Sequence, residues 1–205
     1  MAYSDFSLAS VQEAFELTID ESSSLFADVK GVPPSAFLTQ ALTEYLSLAT
    51  AIGTEKARSE FLIAPVLAEV RRQLSYKIAL FSGTEFNVDK DLGLQGFCDF
   101  LICDAKEQLF ISTPVVILIE AKREDIISGL GQCVATMLGA QLFNQRKQNP
   151  VDIIYGCVTS GTNWRFLTLQ DRLLRIDSVE YYIKEIDQLL GIFLQPFQAA
   201  LSAIA

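Results

Sequence analysis

Apolar positions along the chain follow two rhythms, one of strand length and one of helical period. Runs at Tyr76 to Phe81, Leu94 to Cys103, Val115 to Lys122 and Val151 to Val158 are short, rich in β-branched and aromatic residues, and bounded by polar or glycine-containing stretches, which predicts strands. The strongest is VVILIEAKRED (Val115 to Asp125), five aliphatic residues in a row ending in a charged cluster. The helical rhythm is clearest from about Thr54 to Gln73, where Ile63, Leu67, Val70 and Leu74 form one stripe. Further helices are expected from a capping box at Ser10-Val-Gln-Glu13, from Val32-Pro-Pro-Ser35 to about Ala51, from Asp125 to about Phe143, and from Val179 onward. Ser160-Gly-Thr-Asn163 reads as a turn that pairs Trp164 to Leu169 with the preceding strand. Helix, three strands, helix, strand predicts an α/β fold with a mixed central sheet flanked by helices. Residues 1–53 are then an added helical arm, and 54–205 an α/β domain that includes the C-terminal helices.

Composition narrows the chemistry. Half of the 205 residues are apolar, enough for a real core. The opening MAYSDFSLAS has neither a basic nor an apolar leader region, and LLGIFLQPFQAALSAIA is interrupted by glutamines and a proline. No signal peptide or membrane span is therefore predicted. Cys98, Cys103, Cys133 and Cys157 lie in apolar segments, as suits reduced thiols in a cytoplasmic protein. The net charge of -9 argues against a surface that attracts nucleic acid everywhere, so any such role needs a local basic face. There is no histidine, which excludes Ser-His and Cys-His nucleophiles and histidine metal sites. Carboxylates, lysine or a hard metal ion remain.

Strand alternation turns Leu118, Glu120 and Lys122 to one side and Ile119 and Ala121 to the other. The neighbouring predicted strand carries a single acid, Asp99, twenty-one residues earlier, a spacing that fits adjacent antiparallel strands. Two carboxylates and an ammonium thus emerge from an apolar sheet, where they must neutralise one another or bind something. On the third helix Glu60 falls near the apolar stripe and is expected to look inward, while Glu69 falls opposite and is expected to be solvated. Cys98 and Cys103 have opposite strand parity, so a shared zinc is not expected.

A helix with Glu60 (SEFLIAPVLAEVRRQ), a strand with Asp99 (GFCDFLIC), Glu120-Ala121-Lys122 (ILIEAKRED), a glutamine-bearing helix (GQCVATMLGAQLFNQ) and CVTSGTNWRF follow in that order. This arrangement resembles the PD-(D/E)XK nuclease superfamily, and most closely the nuclease domain of type I restriction enzymes and related stand-alone bacterial proteins. The resemblance covers about Thr54 to Leu169, with Cys98-Asp99 in place of the eponymous Pro-Asp. It implies a restriction-endonuclease-like fold and metal-dependent hydrolysis of phosphodiesters, DNA in preference to RNA. Mg²⁺ or Mn²⁺ would be held by Asp99, Glu120 and the Ala121 carbonyl, with Lys122 acting on the attacking water and the phosphate, and Glu60 supporting from further out. Gln132 is the glutamine carried over, although the stripe Ile127, Leu130, Val134, Met137 puts Gln141 on the apolar face instead.

Substrate contacts are expected from Arg71-Arg72 with Lys77, Lys122-Arg123, Arg146-Lys147, and from Trp164 and Tyr76 as stacking groups. The stretch from Tyr181 to Phe197, with Leu201 and Ile204 beyond, is more apolar than one helix stripe needs, which predicts a homodimer. The acidity also allows a protein partner that supplies the DNA-binding surface. The alternative to an enzyme is a non-catalytic interaction or regulatory module with the same fold.

Overall fold

The computed structural model describes residues 1–197; Leu201 and Ile204 lie outside them. Eight strands form one mixed sheet in the order β1-β7-β6-β5-β4-β3-β2, with β8 also paired to β6. They are β1 (Thr18–Asp20), β2 (Ala79–Glu85), β3 (Phe97–Cys103), β4 (Val115–Ala121), β5 (Ile154–Thr159), β6 (Asn163–Gln170), β7 (Leu173–Ile176) and β8 (Tyr181–Tyr182). The β4/β5 and β1/β7 pairs are parallel and the others antiparallel. At the centre, β4 is buried along its whole length, which is why it reads as an unbroken aliphatic run.

Helices cover both faces. On one lie α1 (Leu8–Phe15) and α5 (Leu130–Arg146), over a core that includes Leu101, Leu118, Val134 and Met137. On the other lie α2 (Ala36–Ile52), α4 (Ala64–Gln73) and α6 (Ile186–Leu194), over Phe100, Ile117, Ile119 and Phe166. A buried amide stitches α5 to the sheet: Asn144 Oδ1 accepts from the Val115 N–H and Nδ2 donates to the Val115 carbonyl, both at 2.8 Å.

Several elements differ from expectation. The first helix starts at Leu8, with Ser7 as its cap, because Ser7 Oγ accepts the Ser10 N–H; Ser10 lies inside the helix. Residues 1–53 do not stand apart as an arm. β1 extends the sheet beside β7, and Tyr3, Phe6 and Val11 are part of the core under α5. The second strand begins at Ala79, since Ser75 and Tyr76 take left-handed conformations in the turn that ends α4. The short strands β1, β7 and β8 have no strong apolar run to announce them.

The third helix is continuous but not uniform. α3 (Glu55–Arg58) passes into a π turn (Ser59–Ile63) and then into α4, with the Ala64 N–H bonding the Ser59 carbonyl five residues back. Pro65 lacks the N–H that the Phe61 carbonyl would receive, and its ring crowds that carbonyl, so a widened turn is a natural accommodation. The extra residue shifts the helical phase. Glu60 is therefore exposed, its side chain 54% accessible and paired with Lys56 at 2.8 Å. Glu69, expected in solvent, is 2% exposed. It accepts from Ser35 N–H at 3.0 Å, Ser35 Oγ at 2.7 Å and Gln73 Nε2 at 3.0 Å, because the start of α2 covers that side of α4.

The described C-terminal residues also settle inward. Leu189, Leu190, Ile192, Phe193, Leu194 and Phe197 are buried within the chain's own core, so their apolar excess does not call for a second copy.

Candidate active site

β3 and β4 deliver two carboxylates to one place. The regular alternation of β3 breaks at its N-terminal end: Cys98 joins the core beneath α5, while Phe100, two residues on, joins the opposite one. Across from Asp99 stands Gly83, between the Ser82/Phe100 and Thr84/Cys98 pairs, with φ +59 and open space where a Cβ would be. A glycine in that conformation inside a strand marks a local bend. Asp99 thereby opens into a cleft of about 290 Å³ that it shares with Glu55, Lys56, Ser59, Glu60, Gly83 and Ala121.

Asp99 Oδ2 accepts the Ala121 N–H at 2.7 Å, which fixes its carboxylate against the end of β4. Glu120, 4% exposed, lies next to it and points toward α5 with Lys122. Lys122 Nζ donates to Glu120 Oε1 at 2.7 Å and to Gln132 Oε1 on α5 at 3.4 Å. Its amide continues the β4/β5 ladder by one bond, donating to the Thr159 carbonyl at 2.8 Å. Asp99, Glu120, Lys122 and Gln132 are thus brought together. Gln141 is not: its Nε2 donates to the Asp171 carbonyl, nine residues and roughly 14 Å further along α5.

The charges in this group oppose and support one another. Burial, and then the adjacent Asp99 carboxylate, push the Glu120 acid up to about 8 against the pull of Lys122. Burial alone would favour loss of the Lys122 proton, but the hydrogen bond and charge of Glu120, with the charges of Glu55 and Asp99, hold it more firmly than usual. Lys122 therefore stands as a donor and a positive charge, not as a base. Glu55 was missed in the sequence. It is the acid at the first position of α3, after the Thr54 cap, and it lines the cleft with Asp99, near enough for its charge to help hold the Lys122 proton, where the uniform helical wheel favoured Glu60.

Among the described residues no group of three or more His, Cys, Asp or Glu side chains is already arranged to hold a metal ion. The donor chemistry nonetheless fits a hard divalent cation. Two adjacent carboxylates, one buried and resisting ionisation, are the arrangement whose repulsion a dication relieves. Zinc between Cys98 and Cys103 does not fit, though not for the reason of parity. Both thiols belong to the same core layer, but they are five residues apart on β3, roughly 16 Å.

Most of the expected substrate contacts lie elsewhere. Trp164 is completely buried, edge-on to Phe193, and cannot stack on a base. Tyr76 is exposed beneath the Arg71 guanidinium, but it and Lys77 precede the end of β2 that pairs with Cys103, away from Asp99. Arg71 and Arg72 close α4, eleven residues and roughly 16 Å beyond Glu60 along the helix. Arg146, at the far end of α5 from Gln132, bonds Val88 and Asp89, and Lys147 lies over Phe143. Lys56, Lys122 and Arg123 remain as cations near the acids. A comparison of the sequence with protein-family models and with curated proteins finds no match to either.

Proposed function

We propose that this chain is a divalent-metal-dependent nuclease of restriction-endonuclease-like fold, acting on DNA in preference to RNA. The observation that carries the reading is the meeting of Asp99, Glu120, Lys122 and Gln132 where β3, β4 and α5 converge beside an open cleft. Asp99 and Glu120, with the Ala121 carbonyl, would hold Mg²⁺ or Mn²⁺, which when bound supplies an acidified water and neutralises charge on the phosphate. Asp99 is held in place by the Ala121 N–H, so its carboxylate needs no reordering. Lys122 places a fixed ammonium where negative charge develops on a phosphoryl oxygen. Gln132 keeps that ammonium turned toward the acids, and Glu60, from the cleft wall, would act further out.

A chain with net charge -9 is a weak ligand for DNA by itself, so the proposal includes a protein partner that adds basic surface, or a homodimer that sets two clefts on one duplex without adding positive charge, either of which would tighten binding without being needed for the chemistry. Light scattering in the presence of a DNA duplex tests the first of these: a chain that stays single throughout leaves only the partner. The same acidity favours the second reading, a non-catalytic module. One assay separates them. Purified protein with Mg²⁺ or Mn²⁺ should nick or degrade DNA, and Asp99→Ala or Lys122→Ala should abolish this while leaving the unfolding transition cooperative. Cleavage that survives both substitutions, or a wild type that never cleaves, defeats the enzyme reading.

A further inference from the structure

We infer that Arg58 is a positioning residue, which bolts the helix carrying Glu55 to the β5–β6 turn that holds the Lys122 backbone. The inference rests on the nuclease reading and adds a residue that the resemblance does not supply.

Arg58 is the last residue of α3, just before the π turn, and is 9% exposed. Its Nη1 donates to the Ser160 carbonyl at 3.0 Å and to Thr162 Oγ1 at 3.2 Å, while its Nε is buried with no partner. No carboxylate pairs with it among the described residues. A buried guanidinium held only by a carbonyl and a hydroxyl is a poor device for stability, because its desolvation is not offset by an opposite charge. It is a good device for placement, since the planar group fixes the direction of what it binds.

What it binds is a rigid turn. Gly161 has φ +81 and lies so close to the helix that an added Cβ would come within 3.1 Å of Leu62. The Gly161 N–H donates to Thr159 Oγ1, the Ser160 N–H to the Asn163 carbonyl, and the Asn163 N–H to Ser160 Oγ. The next carbonyl back, that of Thr159, receives the Lys122 amide. Arg58 thus links two pieces of the site that are otherwise far apart in sequence: Glu55, one helical turn before it, and Lys122, one strand over from the turn it grips.

The test is amide hydrogen exchange on the metal-free protein, joined to cleavage kinetics. In Arg58→Met the Lys122 and Gly161 amides should exchange on the order of tenfold faster or more, with Ile117 inside β4 little changed. The same variant should lose kcat by on the order of tenfold or more, with KM nearly unchanged, as expected when geometry and not binding is lost. Thr162→Val, which removes one acceptor, should give a smaller change of the same local kind, and carries the test if Arg58→Met does not fold. Exchange that is unchanged, or that rises equally at all core amides, overturns the positioning role whatever the wild type cleaves. A local exchange response in a protein that never cleaves leaves Arg58 as the residue that places Lys122 and overturns the nuclease reading alone.

Discussion

Glu120 concentrates the tension of the site in one residue. Its folded-state acid is raised from its usual value to about 8, by burial first and by Asp99 second. The folded protein therefore binds a proton more tightly than the unfolded chain does. That contribution to stability is complete below about pH 4.5 and is lost as pH rises toward 8. On the order of a few kcal/mol is at stake, at about 1.4 kcal/mol for each unit of difference. Urea midpoints of wild type and Glu120→Gln should diverge across this window, the variant lacking the fall, and Mn²⁺ should restore the wild type at the alkaline end. Parallel pH profiles would show that Glu120 is not buried beside Asp99 as described. The acid-x-lysine spacing on β4 made Glu120 and Lys122 legible from the sequence, because strand parity is a local rule. Glu55 and Glu69 were not, because their surroundings are set by a phase shift at the π turn and by α2, neither of which appears in a helical wheel.

Elements were legible where one pattern sufficed. β4 announced itself by five aliphatic residues, α2 by Pro-Pro-Ser before its first turn, with Ser35 accepting the Leu38 N–H and Gly53 ending it at φ +68. β1, β7 and β8 were invisible because each is two to four residues long and is defined by its neighbours in the sheet. The long helix α5 shows a third case. Its wheel placed Gln141 on the apolar face and left Gln132 aside, yet α5 is buried on nearly every side of its N-terminal half, so a single stripe has little meaning there. What fixes its register on the sheet is Asn144, whose amide completes the hydrogen bonds of Val115. Asn144→Leu keeps the branched outline of the side chain but leaves a buried N–H and carbonyl unmet, at about 1–3 kcal/mol each. We expect a loss of about 2–6 kcal/mol in chemical unfolding. A loss under about 0.5 kcal/mol would mean that water or a shifted helix replaces the amide.

At the scale of the whole molecule, the sheet presents its chemistry at one end and most of its arginines at the other. The cleft is walled by Glu55, Glu60 and Asp99 against Lys56, with the Glu120–Lys122 pair behind Asp99, so its field repels a phosphate backbone unless a cation intervenes. The net charge of -9 acts in the same direction at longer range. No helix among the described residues is long and apolar enough to cross a membrane. Under the nuclease reading proposed above, affinity for DNA should therefore depend on a divalent ion more than on the protein's own cations. Fluorescence anisotropy with a labelled duplex, using Ca²⁺ to limit cleavage, should give binding at least on the order of tenfold tighter than in EDTA, about 1.4 kcal/mol or more. Asp99→Asn should remove most of that gain, since it weakens the cation site without adding positive charge elsewhere. Monovalent salt should weaken what remains only modestly, because few lysines or arginines near the cleft are free to displace counterions from the backbone. Equal affinity in Ca²⁺ and EDTA, with a steep salt dependence, would mean that DNA binds a basic surface elsewhere on the chain and would overturn the proposal that the acids at the cleft hold it.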